Sequence, residues 1–378
     1  MTDAKRPLTI AVLVGSYSTG AWADEPQVRH GVIQEQKPRV EVQSGATFTF
    51  QTSNDSRLED EGLLSVDLTA EVPIGKGKLL TYAEGNISRR QDGISSLVEE
   101  VNGDAGSALD GQGKGRLQVS EIHYTQRIGK NIFTVGILDP DCRLDNSKIA
   151  NDETSQFLGS AFVNNPTIAF PDYTLGGCMH IHQGLAPYGF NILITSSHGL
   201  GDNPGRSYSE LFDVGASGKG VFAGVELYRQ TAYGIWRSGV WHNTSDNEYM
   251  DGSGRVGDNS GMYLSGDYIR GSYGLNLRLG IANEDVSEAA SFAGLALERQ
   301  LDNTALGIAA GYTGVSGEGG GAKEDISQSE VYFRFEINNH LEVTPSVQWV
   351  KNSGFDASDS NVDSELVVYS LRMSMIFY

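Results

Sequence analysis

The sequence predicts an all-β protein, a sixteen-stranded antiparallel transmembrane β-barrel with short periplasmic turns, long extracellular loops and an inward-folded third loop. Three observations predict this fold. Many segments alternate apolar and polar residues with period two, their number is even, and the connections between them alternate between long and short. Because no run of 18 apolar residues occurs and 9% of residues are aromatic, a helical membrane protein and a disordered chain are both excluded.

The N-terminus has the features of a secretory signal. Two basic residues precede a short apolar stretch, and a small-x-small cleavage site ends at Ala23. We therefore expect a signal peptide at 1–23, a periplasmic N-terminal leader at 24–38 and the transmembrane β-barrel at 39–378.

The period-two alternation is clear in the second predicted strand, 62–74. Its apolar even positions from Leu64 to Ile74 share one face, and its polar odd positions from Ser65 to Glu71 share the other. A helix could not keep either set on one side. The same criterion predicts sixteen strands: 39–52, 62–74, 78–88, 118–128, 131–138, 176–183, 188–198, 218–229, 232–242, 261–269, 273–282, 292–299, 304–312, 328–337, 341–351 and 365–378.

The connections between these strands sort into tight turns and long loops. Tight turns at one end and long loops at the other are typical of bacterial outer-membrane barrels, whereas the strands of a soluble β-sandwich are shorter and its loops need not sort by end. An Arg or Lys at the bilayer midplane costs about 2–4 kcal/mol, so the polar faces should point inward. Sixteen strands enclose more space than side chains fill, which indicates an aqueous channel.

The formal net charge is −20, and the predicted long loops carry the acidity. This charge disfavours nucleic acid as a partner. The acidic loops indicate either a solvated surface bridged by calcium to lipopolysaccharide or a vestibule that concentrates cations. The sequence leaves both interpretations open.

The third predicted loop, 139–175, differs from the others because it carries apolar and aromatic residues. Side chains such as Phe157, Phe162 and Phe170 need a surface to pack against, and the inner wall is available. A helix is predicted to begin in this loop, with Asn151 or Asp152 as its cap.

This loop also carries a family resemblance. Residues 151–157, NDETSQF, followed by 160–171, SAFVNNPTIAFP, are similar to the corresponding loop of the carbohydrate-selective porins of the OprB type. The resemblance implies a sixteen-stranded passive channel whose third loop forms the constriction and which admits sugars.

The charged residues of this loop and of the facing wall are the candidate pore residues. We expect the constriction to be lined by Arg143, Asp145, Lys148, Asp152 and Glu153, and the wall by Glu121, His123, Arg334, Glu336 and Arg372. Opposed charges across a narrow gap order water and favour dipolar, hydroxyl-rich solutes. The alternative is that these residues only pin the loop to the wall.

The two cysteines, Cys142 and Cys178, flank the third loop at the same end of a predicted hairpin. A disulfide bond there is predicted to clamp the base of the loop, and two separate buried thiols are the alternative. His180 and His182 share one face of a strand and His123 faces the predicted lumen, but no third ligand follows at a telling spacing. We expect no metal site, no cofactor and no catalytic residue, hence no enzyme.

These features together predict a porin of the bacterial outer membrane for passive diffusion of small hydrophilic solutes, with carbohydrates as the expected class. The alternatives are a general cation-preferring diffusion channel and a closed structural or adhesion barrel. The expected partners are small sugars or other hydrophilic solutes, outer-membrane lipid and lipopolysaccharide, and further copies of the chain in a homotrimer.

Overall fold

A computed structural model describes residues 40–182, 186–203, 205, 207–213, 215, 218–317, 324–353 and 365–377. The expected signal peptide and leader lie outside the described residues. Among the described residues, none of the helices is long or apolar enough to cross a membrane.

Sixteen antiparallel strands form a closed barrel, as predicted, in which sequence neighbours pair and the first strand pairs with the last. The strands are β1 Glu41–Ser53, β2 Glu61–Ile74, β3 Gly77–Asn86, β4 Leu117–Ile128, β5 Asn131–Leu138, β6 Thr174–His182, β7 Tyr188–Ser196, β8 Val221–Thr231, β9 Gly234–Glu248, β10 Val256–Arg270, β11 Tyr273–Ala282, β12 Ala289–Leu301, β13 Thr304–Val315, β14 Ile326–Asn338, β15 Leu341–Lys351 and β16 Glu365–Phe377. The described helices lie in loops: α1 Ile94–Leu97, α2 Ser160–Val163, and the 3-10 turns Glu99–Val101 and Tyr208–Phe212.

The two faces of the sheet differ in polarity. In β14, Val331, Phe333 and Phe335 are exposed on the outside, whereas the alternating residues Glu330 and Tyr332 are buried on the inside. An apolar exterior and a polar interior are what a membrane-spanning barrel requires.

The largest boundary differences concern β9 and β10. The structure extends β9 to Glu248 and starts β10 at Val256, whereas the sequence predicted an end at 242 and a start at 261. Most outward residues of these extensions, such as Asp258, are polar. The apolar alternation therefore ends before the hydrogen-bonded ladder does.

Aromatic rings on the inner wall lie flat over glycines of the neighbouring strand. A Cβ atom at Gly307 would lie 2.0 Å from Cε1 of Tyr332, which is its direct ladder partner. Tyr228 over Gly189 and Tyr263 over Gly239 repeat the arrangement. Glycine is needed at these positions because any side chain would displace the ring.

We predict that Gly307→Ala lowers the free energy of unfolding by about 1–3 kcal/mol, the usual cost of overpacking a filled site. Urea unfolding in detergent micelles measures this change. Gly317→Ala is the matched control, because no described atom beyond the chain neighbours of Gly317 lies within 4 Å of a Cβ added there. Equal unfolding midpoints for the two variants would contradict the close packing of Tyr332.

Candidate pore constriction

Two long loops enter the lumen and attach to the inner wall. The third long loop, L3 (139–173), joins β5 to β6, and the second, L2 (87–116), joins β3 to β4. The two loops meet where the amide of Gly103 in L2 donates a hydrogen bond to the carbonyl oxygen of Leu158 in L3 at 2.8 Å. The sequence predicted an inward fold for L3 only.

The aromatic residues of L3 pack against the inner wall, as the sequence predicted. Phe157 and Phe162 form a buried cluster with Tyr332 and with alanines of β12 and β13. The ring centroids of Phe157 and Tyr332 are 4.9 Å apart. Ile168 joins a second cluster that contains Phe222 and other wall residues. These contacts remove the apolar side of L3 from water.

A buried ion pair fixes the centre of L3. Asp145 Oδ2 lies 2.9 Å from Nε of Arg278 on β11, and both side chains are only 2% exposed. Arg278 also donates hydrogen bonds to the carbonyl oxygen of Phe162 at 2.8 Å and to Asn151 Oδ1 at 2.7 Å. One planar guanidinium group thus holds three separate parts of the loop. Asp145, predicted to line the pore, is an anchor.

Wall carboxylates hold the loop backbone from other directions. Glu330 of β14 accepts hydrogen bonds from the amide of Leu158 at 3.0 Å and from the next amide at 2.8 Å. Asp267 of β10 accepts from the hydroxyl group of Ser147 at 2.6 Å and from the amide of Lys148 at 3.2 Å. Neither carboxylate was among the predicted site residues. The sequence feature that could have identified them is an acidic residue at an inward position of a strand.

Two of the predicted wall arginines donate hydrogen bonds to backbone carbonyl groups of L3. Arg372 Nη2 donates to the carbonyl oxygen of Gln156 at 2.7 Å, and Nη1 donates to that of Glu153. Arg334 Nη1 donates to the carbonyl oxygen of Ser155 at 2.7 Å. Both arginines are buried. Their contacts match the pinning alternative of the sequence analysis.

Arg143 lies opposite the predicted wall residues at the start of L3. Its Nη2 atom is 3.1 Å from Nε2 of His123 and 3.8 Å from Oε2 of Glu121. Glu121 also accepts a hydrogen bond from the amide of Asp139 at 3.1 Å. The structure therefore brings together the three residues that the sequence placed across the gap.

Asp152 is buried and caps a single turn. It accepts hydrogen bonds from the amide and hydroxyl groups of both Thr154 and Ser155. The predicted helix does not continue from this cap, because α2 begins only at Ser160. The predicted helix start is therefore wrong, and Asp152 caps a turn instead of a helix.

Two further predicted residues do not face L3 as expected. Lys148 has an exposed side chain, and only its backbone contacts the wall. Glu336 lies opposite Glu342 in the ladder near the short-turn end of the barrel. In the described part of the chain, the Glu336 side chain forms no ion pair or hydrogen bond with L3, because L3 crosses the lumen farther from that end.

The structure does not form the predicted disulfide bond, because Cys142 and Cys178 are not bonded to each other. The pairing of β5 with β6 ends at Leu138 opposite Thr174. Cys178 therefore lies inside the hairpin, four residues from its end, whereas Cys142 lies four residues beyond it. Cys142 Sγ instead contacts Asp139 Oδ2 at 3.6 Å.

The start of L3 gathers three side chains that could bind a metal. The ligand atoms of Asp139, Asp141 and Cys142 lie within 4.8 Å of one another. Two hard oxygen ligands and one soft sulfur ligand do not select a particular ion. We therefore assign no metal to this group.

L2 is held by a wall carboxylate and by side-chain amides. Glu61 accepts hydrogen bonds from the amide of Ser95 at 3.0 Å and from its hydroxyl group at 2.6 Å. Gln348 donates to the carbonyl oxygen of Val101 at 2.8 Å. Apolar residues of L2, including Val101, pack against the inner faces of β15 and β16. L2 thus closes the side of the lumen that L3 does not cover.

Acidic and phenolic side chains remain between these loops and the wall formed by β2 and β3. We call this set the acidic gap, and its members are Asp67, Tyr82, Glu84, Asp104, Glu153 and Tyr173. Every member except Glu84 is partly exposed. The wall arginines described above are engaged with L3, so negative charge dominates here.

The acidic gap is internally hydrogen-bonded. Tyr82 donates to Asp67 at 2.7 Å, and the rings of Tyr82 and Tyr173 have centroids 6.4 Å apart. Asp104 of L2 accepts a hydrogen bond from Ser65 at 2.7 Å. Burial and the neighbouring carboxylate of Asp67 raise the pKa of Asp104 to about 7.

We predict that Arg278→Ala releases L3 from the wall. Removing one partner of a buried ion pair leaves an uncompensated charge and costs about 3–5 kcal/mol. Single-channel recording should show a larger and noisier conductance. Arg57→Ala, which removes an exposed pair with Asp55 in a surface loop, is the control and should leave the conductance unchanged. Unchanged conductance in both variants would show that L3 does not depend on this anchor.

The fold of the chain is similar to that of several barrels whose structures have been solved. No family model and no curated protein sequence matches the chain. The structure is similar to Pseudomonas putida OprB, with a TM-score of 0.71 and 13% sequence identity over 89% of this chain and 94% of that one. It is also similar to a double mutant of Rh. blastica porin, with a TM-score of 0.56 and 10% identity over 90% of this chain and 100% of that one. The chain therefore has the sixteen-stranded porin fold, and at the level of the fold it resembles an OprB-type porin.

Proposed function

We propose that the protein is a porin of the bacterial outer membrane that allows passive diffusion of small hydrophilic solutes, foremost carbohydrates. The observation that carries the proposal is a wide barrel whose lumen is narrowed by two anchored loops around a polar, aromatic gap. The apolar exterior supports insertion in a membrane. Assembly as a homotrimer and contact with lipopolysaccharide remain predictions.

The chemistry of the acidic gap supports hydroxyl-rich solutes. Carboxylates accept hydrogen bonds from sugar hydroxyl groups, and aromatic rings offer apolar faces with a polar tip. Tyr82 and Tyr173 place two such rings beside Asp67 and Glu84. The likeness in fold to OprB and the L3 sequence resemblance favour the same solute class.

We predict that liposomes containing the protein swell fastest with monosaccharides and progressively more slowly with larger oligosaccharides, and that oligosaccharides block the single-channel current. Tyr173→Ala should weaken the block by about fivefold, the worth of about 1 kcal/mol of aromatic contact.

Tyr249→Ala is the control, because this tyrosine packs under Arg255 beyond the end of β9. An absence of conductance would instead support the closed structural or adhesion barrel. Conductance without any oligosaccharide effect would support the unselective channel.

The acidic gap also favours cations among inorganic ions, which supports the second candidate, a cation-preferring diffusion channel. Burial and the nearby carboxylates of Asp152 and Asp104 raise the pKa of Glu153. Glu153 therefore keeps its proton to higher pH than an ordinary glutamate does. A cation preference and sugar passage are compatible in one lumen.

We predict that the cation preference falls on acidification through about pH 7. The pKa of Asp104 is raised to about 7, so this carboxylate is ionised above that pH and neutral below it. The reversal potential in a salt gradient, measured from pH 8 to pH 5, reports the change.

Asp104→Asn should remove part of this pH dependence. Asp251→Asn is the control, because hydrogen bonds from Ser253 and Arg255 lower the pKa of Asp251 to about 2, far below the range tested. An unaltered titration in the Asp104 variant would contradict the assignment.

A further inference from the structure

Three arginines lie on the outer face of the barrel at its short-turn end, and each packs over a tyrosine ring. The guanidinium carbon lies 5.6 Å from the ring centroid for Arg229 over Tyr188, 5.8 Å for Arg270 over Tyr233 and 5.2 Å for Arg299 over Tyr273. We call these six residues the arginine–tyrosine band.

The band occupies a continuous arc of the wall. Arg229 is the ladder partner of Tyr188 on β7, and Tyr273 of β11 pairs with both Arg270 and Arg299. The three arginines lie on β8, β10 and β12, so neighbouring arginines are about 10 Å apart. This spacing suits one lipid headgroup for each arginine–tyrosine pair.

The band carries positive charge without acidic partners. In the part of the chain that the structure describes, no carboxylate forms an ion pair with Arg229, Arg270 or Arg299. On the inward face of β2 and β3, by contrast, Lys78 is paired with Glu71 at 2.8 Å. The strand carboxylates nearest in sequence to the band, such as Glu298, point into the lumen. Among the described residues, no ion pair therefore compensates the outer charge of these three arginines.

We propose that the arginine–tyrosine band binds the phosphate groups of anionic phospholipids in the inner leaflet of the membrane. Tyrosine rings belong at the level of the headgroups, and arginine side chains that start near this level extend to the water interface. A guanidinium group binds phosphate oxygens in a bidentate manner. The proposal rests on the proposed membrane location and not on the solute.

Trp236 provides a reporter for this site. It is the direct ladder partner of Arg229 and is exposed on the outer face. Trp241 is buried inside the barrel. Trp349→Phe removes a further tryptophan from the outer wall, which leaves Trp236 to report on lipid contact.

The test measures quenching of Trp236 in bilayers that contain lipids brominated near the glycerol. Brominated phosphatidylglycerol should associate about fivefold more strongly than brominated phosphatidylcholine, the fold-change that corresponds to about 1 kcal/mol for one arginine near an anionic surface. The combined variant R229Q, R270Q and R299Q should reduce this ratio to about one.

Arg255→Gln is the matched control, because Arg255 lies 4.2 Å over the ring of Tyr249 at the long-loop end. It should keep the fivefold preference. Equal association of the two lipids with the unmodified band, or a preference that survives the triple variant, overturns the proposal. Channel conductance, recorded in the same vesicles, shows separately whether each protein has inserted and folded.

Discussion

A ring of sixteen strands encloses more space than its own side chains fill, so the organisation of this lumen depends on how L2 and L3 are held across it. Loops inside a barrel bring backbone amides and carbonyl groups that must be paired. The wall meets this requirement with ionised side chains, among which the pair of Arg278 and Asp145 is the most deeply buried. Desolvation makes such a pair costly to form, and removing only one of its partners costs still more because the other charge is left buried and unpaired.

The burial of these ionised side chains determines which charges remain exposed in the lumen. Arg278, Arg334 and Arg372 donate to L3, and their positive charge is buried with the loop. The partly exposed side of the lumen is left with Asp67 beside Tyr82 and with Asp104 beside Ser65. The anchoring of L3 therefore determines the charge of the acidic gap, because the residues that hold L3 are the ones that would otherwise neutralise it.

The strands were predictable because an apolar outer face and a polar inner face impose a period of two. The signal fails where the apolar outer face ends, as at the extensions of β9 and β10 around Asp258. The inward fold of L3 was predictable from its aromatic residues. L2 contains comparable apolar residues, Ile94, Val98 and Val101, which pack on the wall. The inward fold was nevertheless predicted for the longest loop only.

The roles of single charged residues were less predictable, since they depend on where a loop crosses the lumen. Inward orientation follows from strand register, and Glu121, His123, Arg334 and Arg372 are indeed buried there. Whether such a residue meets a backbone carbonyl group or the open gap depends on three-dimensional positions that sequence spacing does not encode. The cysteines illustrate the same point. The hairpin topology places Cys142 and Cys178 at the same end of the barrel, but they lie at different heights along the barrel axis.

The two rims of the barrel present different chemistry. At the short-turn end, Arg229, Arg270 and Arg299 lie on tyrosine rings and have no acidic partner among the described residues. At the long-loop end, Arg255 packs over the ring of Tyr249 and also forms an ion pair with Asp251 at 2.8 Å. A free cation attracts phosphate, whereas a paired one does so weakly because its field is already cancelled. The same residue types therefore carry different net charge at the two ends, and it is the distribution of carboxylates that separates a rim with uncancelled positive charge from one whose charge is paired.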